Sequence, residues 1–196
     1  MYASVLTDAN LYETLEMIDV DLAATAREAG CWCGGVLHSA NYTRKPRGGP
    51  VGPGPVGLGA GYDLRWSFCC ALDGCRSRTT PPSVRFLGRK VYLGAVVVVA
   101  TILRHGVTRW RAERLRALLG VSERTLRRWR TFWQRTFAQS TFWKQAKAHL
   151  AQPVAASELP GGLLDCFAGN AATKLERLLY FLRPITTKSA RIGRQK

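Results

Sequence analysis

Leu11, Leu15, Ile18 and Leu22 recur three and four residues apart, while Glu13, Glu16 and Asp19 fall largely off that stripe. The pattern predicts an amphipathic helix over about residues 8–29. Residues 62–68 suit a short strand and residues 83–87 a second. The apolar run 91–103 predicts a buried helix over about 92–103, although its valines also fit a strand locally. Bracketed by Arg89, Lys90 and Arg104, that run is too short to span a bilayer. A helix over about 110–119 stops at Gly120, which permits a tight turn, and Ser122 is a good N-cap for a helix over about 123–134. Val121, Leu126, Trp129 and Trp133 recur at spacings that bury one face of this pair, leaving Arg124, Arg127, Arg128 and Thr131 together on the other. Helix continues over about 137–151, with Phe137, Phe142, Trp143 and Leu150 as core, until Pro153 breaks it. A last helix, from 163 or 171 to 182, sets Leu175, Leu178, Leu179 and Leu182 ahead of Pro184. Those leucines suit a core or a contact between two copies of the chain.

The 196 residues, 46% of them hydrophobic, suffice for one ordinary domain or two small ones. Charge changes the picture more than size does. The formal net charge is +16, yet residues 1–30 hold six acids (Asp8, Glu13, Glu16, Asp19, Asp21 and Glu28) against Arg27 alone. The strongly basic remainder attracts a polyanion, with nucleic acid as the leading partner. Binding of that kind is salt-dependent, with a log–log slope of about −5 if about six phosphates are neutralised. An anionic membrane explains the charge less well, because no long basic amphipathic helix stands alone. The acidic amphipathic N-terminus is no secretory signal, so a cytoplasmic location is expected. The first helix either packs on its own domain or docks a protein partner. The glycine- and proline-rich segment 46–61 reads as a long flexible loop, with Arg44, Lys45 and Arg47 at its start for phosphate contact or plain solvation. The basic tail 188–196 lacks apolar periodicity and is expected to be disordered.

Cysteine usage adds candidate chemistry. Cys31 and Cys33 lie in CWCGG, Cys69, Cys70 and Cys75 in CCALDGC, and Cys166 stands alone. Two close thiol groups, each with glycine in its turn, are what a tetrahedral Zn2+ requires when two tight loops approach one metal. The expected ligands are Cys31, Cys33, Cys70 and Cys75, with Cys69 as a substitute for Cys70. Four thiolates leave no open position for water, so the expected role is structural. Disulfides are disfavoured in an intracellular chain, and a thiol nucleophile would have only His38 nearby as a base. Arg85, Arg89 and Lys90 follow the second group and give the module its own basic face.

The CGG of residues 33–35, the GCR of residues 74–76 and the GVSERTLRRW of residues 120–129 together resemble the DNA-binding portion of bacterial insertion-sequence transposases. Small proteins carried by such elements are similar, and the likeness covers about residues 30–135. It implies a zinc ribbon and a helix-turn-helix on double-stranded DNA, with contacts from Arg124, Arg127 and Arg128. Arginine there suits guanine edges and phosphates alike. Thr131, Arg130 toward the flank, and Arg109 on the preceding helix complete the expected DNA-facing set. The expected architecture is mainly α with a small β zinc ribbon. It comprises an acidic helix (1–29), a zinc-ribbon-like module (30–90), a three-helix helix-turn-helix domain (91–136), C-terminal helices (137–184) and a basic tail (185–196).

Catalysis is not expected. A nuclease-type transposase needs separated carboxylates for two metal ions, and outside the first helix only Asp63, Asp73, Glu113, Glu123, Glu158, Asp165 and Glu176 are available. The three histidines are isolated. The chain therefore reads as a transposon-associated accessory factor or a transcriptional regulator, nucleoid-associated when bound. A transposase or other protein is a candidate partner for the first helix, and a homodimer is compatible. The alternatives are a nucleic-acid-processing enzyme using zinc or a Cys33–His38 pair, and an RNA-binding zinc module.

Overall fold

The computed structural model describes residues 2–44, 61–87, 92–102 and 109–187. Most of the glycine-rich loop, Arg89, Lys90 and the tail 188–196 lie outside those residues. The described chain is mainly helical with two small antiparallel sheets. A helical turn, α1 (Tyr2–Val5), leads into α2 (Ala9–Glu28), which Asp8 caps by accepting the Asn10 N–H at 3.0 Å. Leu11, Tyr12 and Leu15 are buried against the chain's own core, as expected for a solitary amphipathic helix.

Five short strands follow: β1 (Leu37–Ser39), β2 (Tyr42–Thr43), β3 (Leu64–Arg65), β4 (Phe68–Cys70) and β5 (Arg78–Thr79). One sheet has the order β1-β4-β5 and the other pairs β2 with β3. The strand expected over 62–68 is thus two strands in different sheets, separated where Trp66 and Ser67 turn the chain. In the register Leu37 faces Cys70 and His38 faces Cys69. Alternation along β4 therefore sends Cys69 and Cys70 to opposite faces.

Residues 83–87 form no strand, and the reason is local hydrogen bonding. The Ser83 hydroxyl accepts the N–H groups of Arg85 and Phe86 at 3.2 and 3.1 Å, curling the backbone. The same hydroxyl donates to Asp19 Oδ2 at 2.6 Å, and Asp19 Oδ1 accepts the Val84 N–H at 2.7 Å. Arg85 Nε donates to Asp19 at 2.9 Å, and both side chains are sealed from water, 0% and 1% exposed. The remaining guanidinium edge donates to the carbonyls of Gly61, Tyr62 and Leu64 at 2.7, 3.1 and 3.0 Å. Arg85 is therefore removed from the DNA-facing set: its charge is spent inside the core on a carboxylate and three carbonyls.

The apolar run becomes α3 (Gly94–Thr101), buried nearly all round, which its lack of a polar face dictates. It begins at Gly94 because a side chain there would press on Leu179 and on the carbonyls of Val84 and Arg85. Next come α4 (Arg109–Leu119) and α5 (Glu123–Thr131), whose axis continues through a π-helical stretch to Phe137. The helix expected over 137–151 is interrupted, because Ser140 starts a new one, α6 (Thr141–Ala146), by accepting the Trp143 N–H at 3.1 Å. After α7 (Gly161–Asp165) comes α8 (Ala171–Leu182), capped by Asn170. Leu175, Leu178, Leu179 and Leu182 are all buried in this chain, which leaves them no surface for a second copy.

The main core joins α2, α3, α5 and α8, with Trp133 and Phe137 stacked edge-on at 5.1 Å between ring centres. A smaller cluster gathers Ala23, Cys31, Leu37, Phe68 and Cys70. Replacing Asp19 by Ala would leave the Arg85 guanidinium buried without its counter-charge, a loss of about 3–5 kcal/mol. Urea unfolding of Asp19→Ala is the check, and a change below about 1 kcal/mol would deny the pair its structural role.

Candidate functional site

Two turns converge to build the thiol site. After α2 the chain passes Gly30 at φ +70° and Gly34 at φ +81°, left-handed positions where glycine is the residue of choice. The turn is closed by Gly34 N–H to Cys31 O at 2.8 Å and Cys31 N–H to Gly35 O at 3.1 Å. The second turn holds the N–H groups of Cys75 and Arg76 on Leu72 O, both at 3.0 Å, and places Arg76 at φ +43°. Arg76 also pairs with Asp73 across this turn.

Between the turns, the sulfurs of Cys31, Cys33, Cys70 and Cys75 all lie within 4.8 Å of one another. Cys31 and Cys75 are 3.7 Å apart and Cys33 and Cys70 are 3.5 Å apart. A tetrahedron with metal–sulfur bonds of about 2.3 Å has edges of about 3.8 Å, so these residues fit and could hold a metal ion. Gly35 makes the approach feasible: a Cβ on it would sit 2.6 Å from Cys70 Sγ. The Gly35 amide and then the Cys75 thiol draw the Cys33 thiol down to about 7. At Cys70 the Leu72 amide acts in the same sense, but burial and the three neighbouring sulfurs outweigh it and push that thiol up to about 12.

Cys69 stands outside the cluster, its thiol directed at the carbonyls of Cys70 and Arg76. His38 pairs across from Cys69 and makes no hydrogen bond to Cys33 among the described residues, so no base is poised on a thiol. Cys166 lies apart, its thiol on Gly162 O at 3.4 Å.

The second candidate surface is α5. Gly120 takes φ +63° and Val121 is fully buried between the helices. Ser122 caps α5 by accepting the Thr125 N–H at 3.3 Å. Leu126 and Trp129 face inward, and Trp129 packs edge-on against Tyr92 at 4.9 Å between ring centres. The Tyr92 hydroxyl donates to Gly120 O at 3.3 Å, pinning the turn to the start of α3. Opposite that buried face, Arg124, Arg127, Arg128 and Thr131 are exposed and line one shallow groove with Glu123, Phe132 and Thr136. Arg127 donates to Glu123 Oε1 from Nε at 3.0 Å and from Nη2 at 2.6 Å. That ion pair is visible in advance only as an i, i+4 spacing of acid and base.

Arg130 points away from this groove into a cleft of about 600 Å³ with Gln134, Glu158 and Asp165 among its walls. Arg109 is exposed on α4 and paired with Glu113 at 3.1 Å. Arg78, which sequence reasoning passed over, locks the sheets by donating to Ser67 Oγ at 2.9 Å and Ala40 O at 2.7 Å. No described helix is long and apolar enough to cross a membrane. No protein-family model, curated protein or solved structure matches the chain.

Gly35→Ala should cut bound metal to below about half the wild-type content, because its methyl would displace the Cys70 sulfur from the tetrahedron. Gly34→Ala, whose methyl would meet nothing within 4 Å, should keep the metal and cost only the roughly 1–2 kcal/mol of left-handed backbone. Elemental analysis and thermal melts of the two purified variants separate these outcomes.

Proposed function

We propose that this chain is a zinc-stabilised, non-enzymatic protein that binds duplex DNA through α4 and α5 acting as a helix-turn-helix. The observation that carries the reading is the division of α5 into two faces. Leu126 and Trp129 fix the helix to the core while Arg124, Arg127, Arg128 and Thr131 stand in solvent. Arg124 and Arg128 form no ion pair among the described residues, so their donors are available to phosphates or guanine edges.

The four thiolates hold Zn2+ in a closed structural site, a zinc ribbon on the sheet β1-β4-β5. Bound metal would supply folding free energy to a region with a small apolar cluster. On this reading the protein works in the cytoplasm, at the nucleoid when bound, as a transposon-associated accessory factor or a regulator. A protein partner such as a transposase would meet the outer face of α2, where Met17 and Val20 are exposed between Glu13 and Asp21.

A second reading, an RNA-binding zinc module, has one observation in its favour. Trp32, at the tip of the first metal-binding turn, is 86% exposed and free to stack on an unpaired base.

The double replacement Arg127→Ala/Arg128→Ala should weaken duplex binding at least about tenfold and flatten the salt slope by about two, one for each phosphate that is no longer neutralised. Arg44→Ala/Lys45→Ala should do much less. Equal losses in a fluorescence anisotropy titration would remove the helix-turn-helix assignment, and a loss on single strands alone would favour RNA. Metal should also leave on acidification, as protons compete for the thiolates. A chromogenic chelator reads that release, and metal retained down to about pH 3 would reject thiolate ligation.

A further inference from the structure

Glu123 is out of place on a surface meant only for phosphates. It is the first residue of α5 and shares the groove with three arginines, where a carboxylate repels the DNA backbone. As an exposed i, i+4 partner it contributes little to helix stability. What the pair does provide is a fixed arrangement of donors and acceptors. Arg127 commits Nε and one hydrogen of Nη2 to Glu123 Oε1. Glu123 Oε2 and the terminal Nη1–Nη2 edge of Arg127 have no other partner among the described residues. An acceptor and a two-pronged donor therefore stand side by side, held at the N-terminal end of the helix, the end that meets base edges in helix-turn-helix docking.

A C·G pair presents the matching pattern in the major groove. Cytosine offers the N4 amino donor and guanine beside it offers the O6 and N7 acceptors. Thymine would set its O4 acceptor against the carboxylate, and a reversed pair would set guanine O6 there. Resting on the duplex reading above, we propose that Glu123 is a specificity-determining residue. Its Oε2 accepts from cytosine N4 while Arg127 donates its free edge to the paired guanine. The carboxylate also penalises docking wherever no amino group meets it, so it lowers non-specific affinity while sharpening the choice of site.

The test is selection of bound duplexes from a random-sequence pool by the full chain, wild type beside Glu123→Gln, followed by titration of the selected duplex and a scrambled one. Wild type should enrich C·G in one orientation at one position. Glu123→Gln should reduce that preference at least tenfold and bind the scrambled duplex as well as wild type or better. Circular dichroism should show the helices intact, since Ser122 still caps α5. Should Glu123→Gln select the same base at the same position, Glu123 serves only the helix end and the proposal fails while duplex binding stands. Should wild type not bind duplex in a salt-dependent way, the duplex reading fails and takes this inference with it.

Discussion

The buried Asp19–Arg85 ion pair is the constraint on which the arrangement of the other elements depends. A charged pair withdrawn from water is tolerated only if nearly every lone pair and N–H finds a partner. Here the partners come from separate parts of the chain. Asp19 is on α2, its hydrogen-bond donors are Ser83, Val84 and Arg85, and Arg85 holds the carbonyls that open β3. The Arg85 carbonyl accepts the Gly94 N–H at the start of α3, and the Ser83 N–H donates to Thr186 beyond α8. Meeting the hydrogen-bond demand of one buried guanidinium thus sets the first helix, the sheets, the apolar helix and the C-terminal end against each other.

That network also explains what could and could not be read from the amino-acid order. Periodicity is a local signal, and where structure is decided locally it served well. Ser122 and Gly120 frame α5, Leu126 and Trp129 define its buried side, and the two cysteine groups meet. Asp19 and Arg85 are 66 positions apart, and no spacing rule links them. Counted by type, Arg85 joins the surface charges and Asp19 the polar face of its helix. Only the three-dimensional meeting reverses both assignments. The missing strand at 83–87 has the same origin, since the Ser83 hydroxyl competes with a sheet partner for the local N–H groups. At Cys69 and Cys70 the sequence left two candidates, and it is the register with β1 that directs one thiol to the cluster and the other away.

The thiol cluster and α5 solve similar problems by different means. The cysteines sit on turns with little apolar material behind them, so their geometry depends on left-handed glycines, one close glycine approach and the ligand field of an ion. The arginines of α5 need no such help. Their helix is clamped from behind by aromatic rings, and Tyr92 ties the turn before it to α3. Loss of metal would therefore disturb the sheets far more than the basic face.

The π-helical stretch after Thr131 limits how much of a duplex one chain can survey. The regular part of α5 has 9 residues, and at about 1.5 Å per residue it is roughly 14 Å long. Beyond it the wider winding changes the angle between successive side chains, and Trp133 and Phe137 turn inward. A helix of that length in a major groove lies alongside only about four base pairs at about 3.4 Å each. A word so short recurs by chance every few hundred base pairs, so one such helix carries too little information to single out a locus in a genome. On the duplex reading, uniqueness has to be assembled from additional contacts, whether by the cysteine-rich half, a second chain or a partner already at the site.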